Sequence, residues 1–130
     1  LNRLADVLPA ESEPVRLLDK QVDALMANRE DRVAAEAIRQ QLQRWQNNSD
    51  AVMPLVLANY QLKPLQQQVQ QVAQLSRMGL DLVNAMQRNQ AYGASEVAEM
   101  RAKLDAAAEV QDETVLALVR PLEKLLRSSK

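Results

Sequence analysis

The sequence predicts an all-α protein: an antiparallel bundle of three long helices with one or two shorter helices at its N-terminus. Three observations predict it. Apolar residues recur at helical spacing in each long segment. Helix formers dominate the composition, with only two glycines and no phenylalanine. Short polar connections separate the segments, which makes neighbours in sequence run antiparallel. With 130 residues the chain is read as one domain, 1–130, long enough to bury a core without disulfides.

The bundle is organised around the segment 30–58. Ala34, Ile38, Leu42, Trp45, Val52 and Val56 share one helical face. Trp45 is the only tryptophan and lies in the middle of that stripe. A helix with such a stripe needs partners to cover it. Glu30 or Asp31 starts the segment. Its ambiguous stretch is Asn47-Asn48-Ser49-Asp50, followed by Pro54. Proline removes one helical hydrogen bond and crowds the carbonyl four residues back. The helix therefore either runs through with a kink or breaks near Asn48 and restarts with Ser49 or Asp50 as cap.

The other elements come in order. Residues 1–11 are a connector, with Leu1, Leu4, Ala5, Val7 and Leu8 compatible with one or two turns before Pro9. Ser12 reads as the N-cap of a helix over 12–28, with Pro14 in its first turn. That helix carries Val15, Leu18, Val22, Leu25 and Met26 on one face. A third helix is expected over 63–89, with Pro64 at its start. Leu65, Val69, Val72, Ser76, Gly79, Val83 and Met86 form its apolar face, and Gln66, Gln67, Gln70, Gln71 and Gln74 form an uncharged outer face. Gly79 costs about 1 kcal/mol relative to Ala inside a helix, so its place on the apolar face points to close approach of a neighbour. Gly93 is expected at positive φ in the next connector. A last helix is expected over 94–127 with Ser95 as N-cap, an interrupted stripe at 111–114 and a kink at Pro121.

Composition limits the chemistry. There is no histidine and no cysteine, which removes the common transition-metal sets and nucleophile–histidine pairs. No catalytic, metal or cofactor residue is assigned. The acidic pairs Glu96/Glu99 and Glu109 with Asp112 or Glu113 read as solvated helix surface, and the Gln-rich face reads the same way. The net charge of −1 shows no basic stripe for nucleic acid, and mixed charges do not suit a membrane-surface helix. No apolar run approaches a membrane span, so no insertion is expected. Asn47-Asn48-Ser49 matches the glycosylation sequon by pattern alone. Trp45 is read as a core or interdomain residue rather than a sugar platform.

Two stretches resemble a known family. Leu1-Asn2-Arg3-Leu4-Ala5-Asp6-Val7, with Pro9-Ala10-Glu11-Ser12, resembles the segment that comes after the catalytic barrel in bacterial β-N-acetylhexosaminidases of glycoside hydrolase family 20. Leu42-Gln43-Arg44-Trp45-Gln46-Asn47-Asn48 and then Met53-Pro54-Leu55 resemble the helical C-terminal extension of the same enzymes. Residues 62–82, with Pro64-Leu65 and Met78-Gly79-Leu80, resemble the next portion of that extension. Leu1 departs from the family, which usually has an aromatic there.

The resemblance implies that residues 1–11 come directly after a barrel and that the bundle is a non-catalytic C-terminal domain. The parent would hydrolyse terminal N-acetylhexosamine from glycosides. The family's adjacent Asp-Glu pair lies on a barrel strand, so no catalytic role is carried onto Asp112-Glu113. The chain begins without methionine, which agrees with a piece of a larger protein. The implied partner is the barrel of the same polypeptide, reached through Leu1, Leu4, Val7, Val15 and Trp45, with an oligomer possible. The compartment is unknown from the sequence and periplasmic or exported by resemblance. The alternative is a stand-alone helical interaction module.

Overall fold

Asp31 opens the longest helix by turning its carboxylate onto the backbone: Oδ1 accepts from the Ala34 N–H at 3.0 Å. The computed structural model describes residues 13–128. Within them the α-helices are α1 (Glu13–Ala27), α2 (Arg32–Ala58), α3 (Gln66–Gln87), α4 (Ala94–Glu109) and α5 (Glu113–Ser128), with a 3-10 segment over Tyr60–Leu65. The connector 1–11 and the Ser12 cap lie outside the described residues.

Helix α2 is continuous through Asn47, Asn48, Ser49 and Pro54. The alternative of a break with Ser49 or Asp50 as a new cap is therefore corrected. Packing accounts for this. Weak helix formers cost roughly 0.5 kcal/mol each and proline about 3. Burial of a large apolar side chain stabilises by about 1.5–3 kcal/mol, and α2 buries Ile38, Leu42, Trp45 and Val56. Gln43 also donates to Asn47 Oδ1 at 3.0 Å along the helix surface. At the far end Asn59 Oδ1 accepts from the Gln61 N–H at 3.0 Å and starts the 3-10 turn. Pro64 sits inside that turn, and α3 starts two residues later than the position expected from the proline.

The expected helix over 94–127 is two helices. Gln111 adopts a left-handed φ of 56° between α4 and α5. Asp112 then caps α5, with Oδ1 accepting from the Thr114 N–H at 2.8 Å and the Val115 N–H at 3.3 Å. The same oxygen accepts from Gln68 Nε2 of α3 at 3.1 Å. Asp112→Ala removes the cap and the link to α3 together. A loss of about 1–2 kcal/mol is expected, read as a lower urea midpoint at unchanged slope. Pro121 lies inside α5, which continues through it.

Gly93 is expected at positive φ, but its φ is −68° and it serves as the N-cap of α4. It has no side chain to cap with; Glu96 Oε1 reaches back and accepts from its N–H at 3.3 Å. Ser95, the expected cap, lies inside α4. The left-handed residue is Asn89, φ 54°. It closes α3 in a Schellman motif: the Gln90 N–H donates to Ala85 O at 2.9 Å and the Asn89 N–H to Met86 O at 3.1 Å.

Interhelix contacts close a ring. Helix α1 meets α2 and α5, α2 meets α3, and α3 meets α5. The core inside it contains Val22 and Leu25 of α1, Ile38, Leu42 and Trp45 of α2, Val69, Leu75 and Val83 of α3, and Leu118, Leu122 and Leu125 of α5. Gly79 lies where three helices converge. A Cβ there would stand 2.7 Å from Leu42 Cδ1 and 2.6 Å from Leu122 Cδ2, so the close approach read from the sequence is present. Helix α4 lies outside the ring, against α5 with a small contact to α3.

Candidate contact surfaces

The residues named from the sequence separate clearly. Leu1, Leu4 and Val7 lie outside the described residues. Val15 is partly buried at the N-terminal end of α1. Trp45 is only 4% exposed and belongs to the core cluster. Its ring therefore presents almost no area to another domain and no open face to a sugar.

Met26 is 38% exposed near the C-terminal end of α1, and Leu17 is 48% exposed near its N-terminal end. One groove beside it runs between α1 and α2, lined by Pro14, Leu17 and Leu18 opposite Ala37, Gln41 and Arg44. A second runs between α1 and α5, where Val15 and Asp19 face Leu116, Ala117, Arg120 and Pro121. Further along α1, Lys124 of α5 donates to Asp23 at 2.9 Å and Asp19 at 3.0 Å, tying the two helices. These bonds, Asp23 first, raise the lysine pKa against the opposing effect of burial. A raised lysine pKa means the contribution is complete below the lysine's ordinary range and is lost as pH climbs through the raised value, so neutral pH leaves it intact. Both carboxylates are substantially exposed, so salt screens the pair.

Apolar side chains are also exposed at the end of α2 and the start of the 3-10 segment. Leu55 and Leu57 are each 62% exposed and Tyr60 85%. The Lys63 ammonium stands 5.9 Å from the centre of the Tyr60 ring. Sequence reasoning missed Leu17, Leu55 and Leu57 as surface groups, because exposure depends on where the neighbouring helices stop.

The polar groups are largely occupied with one another. A groove between α2 and α3 is lined by Glu36, Arg39, Gln43, Arg44, Asn47 and Asn84. Within it Arg39 donates to Glu36 at 3.1 Å and to Asn84 at 3.4 Å. Of the acidic pairs, Glu96 and Asp112 act as helix caps. On the Gln-rich face Gln67, Gln70 and Gln74 are exposed, whereas Gln66 and Gln71 are half-buried. The sequon lies in mid-helix, with Asn47 exposed and Ser49 buried. Burial pushes the Tyr92 phenol pKa up, and the nearby Asp81 and Glu96 carboxylates add to the effect.

Among the described residues no group of three or more acidic side chains is arranged to hold a metal ion, and no helix is long and apolar enough to cross a membrane. The class this defines is an all-helical domain with candidate contact surfaces. Comparison with family models, curated proteins and solved structures finds no match for the chain.

Proposed function

We propose that this bundle is the non-catalytic C-terminal accessory domain of a bacterial β-N-acetylhexosaminidase of glycoside hydrolase family 20. Its helices alternate in direction, and it packs on the catalytic barrel or at an oligomer interface. The parent enzyme hydrolyses terminal N-acetylhexosamine and is exported to the periplasm or beyond. The ordered resemblance of residues 1–12, 42–55 and 62–82 motivates the reading. The structural observation that carries it is the apolar end of α1. Val15 is only partly covered and Leu17 is 48% exposed, beside the segment that in the resembled enzymes leads out of the barrel. The reading assigns Leu17 and Val15, which line separate grooves on either side of α1, to the buried contact with the barrel. The exposed corner of Leu55, Leu57 and Tyr60 favours a second reading, a stand-alone interaction module.

The test is the reading frame that precedes Leu1. A continuous frame encoding a barrel with an adjacent Asp-Glu pair on one strand is the expected result. A start codon or signal peptide immediately before Leu1 would overturn the proposal in favour of the interaction module.

A further inference from the structure

We propose that α4 is a hinged lid that opens as a unit while the ring of α1, α2, α3 and α5 stays folded, uncovering an apolar strip of α5 that includes Leu126. Three observations carry this. Helix α4 fully buries only Leu104 and Ala107, which join the core cluster, and half-covers Val97, Met100 and Ala108 against it, whereas α3 buries side chains along its whole length. Its packing is on α5, with a small contact to α3 and none of note to α1 or α2. Left-handed residues lie on both sides of it, Gln111 after the Val110 C-cap and Asn89 before the connector that ends at Gly93, so the chain changes direction at each end.

A surface cleft adjoins the seam at one end, although Leu126 at its base is only 1% exposed. Ala91, Tyr92, Val97, Ala98 and Arg101 line an apolar cleft with Leu126 beneath the first turns of α4. The ion pair nearest that cleft, Arg101 with Glu123, spans 3.9 Å between side chains that are both partly exposed to solvent, which makes it a weak tether. The buried contacts of Leu104 and Ala107 lie further toward Gln111. Opening therefore starts at the Tyr92 end and pivots at Gln111. A segment with few buried apolar contacts beside a well-packed core is the kind that opens sub-globally.

Native-state amide hydrogen exchange on the 130-residue chain tests this. Amides in the hydrogen-bonded part of α4 are expected to exchange roughly 100-fold faster than the slowest amides of α2 and α3. The variant Ile38→Val weakens the ring at a residue of α2, a helix that α4 does not contact. It should speed the slow α2 and α3 amides about two- to tenfold. Exchange in α4 should stay unchanged, because its opening leaves the ring intact. The inference is overturned if α4 amides share the slow class of α2 and α3, or if Ile38→Val speeds α4 amides by the same factor as the core.

Discussion

Gly79→Leu is expected to lower the melting temperature by about 10 °C or more, corresponding to roughly 3 kcal/mol for a domain of this size. The reason is local and double-sided. The first added carbon already falls inside contact distance of Leu42 Cδ1 on α2 and Leu122 Cδ2 on α5. Both leucines are fully buried, so neither methyl group can turn toward solvent. For Gly79→Ala, overpacking of about 1–3 kcal/mol is offset by about 1 kcal/mol of helix propensity, giving a small net loss. For leucine the propensity gain is no larger and three more carbons must enter the same space. Thermal melts of the two variants by circular dichroism check the ordering. Wild-type melting of the leucine variant would mean that the three helices do not converge at Gly79.

Trp45→Ala is expected to cost about 3–5 kcal/mol, a large part of the 5–15 kcal/mol that holds a typical domain. Trp45 fills the middle of the α2 stripe, with Leu42 and Ile38 before it and Val56 after. Its removal leaves a cavity that the continuous helix cannot collapse. Trp45→Phe, which keeps most of the apolar volume, should lose much less. Urea unfolding monitored by far-ultraviolet circular dichroism measures both. An unchanged midpoint for the alanine variant would show that the tryptophan lies at a surface and not in the core.

The helices were legible where one residue face alternates with another. The stripe of 34–56 matches α2 and that of 65–86, beyond Leu65 of the 3-10 turn, matches α3, each with its buried side. Gly79 was recognisable from its position, whereas Glu30 and Asp31 were both candidates for the start of α2 and the capping bond decides for Asp31. The division of 94–127 was less legible. Its stripe was visibly interrupted at 111–114, but the interruption is stabilised by Asp112, whose carboxylate also receives Gln68 from another helix. Glycine is the usual left-handed residue, which drew attention to Gly93; the Schellman closure of α3 instead places Asn89 there. For Trp45, helical spacing fits an inward ring and an interdomain ring equally, and only the packed neighbours decide that it is buried. The open surfaces at Leu17, Leu55 and Leu57 arise from the ends of neighbouring helices, which no single segment encodes.

The most direct test of the proposed role is an activity measurement. The polypeptide encoded by the whole reading frame and the 130-residue bundle are assayed side by side on an aryl N-acetyl-β-glucosaminide. An accessory role predicts that the whole polypeptide releases the aryl alcohol and the bundle alone does not. A whole polypeptide without this activity, or a bundle that has it alone, would contradict that role.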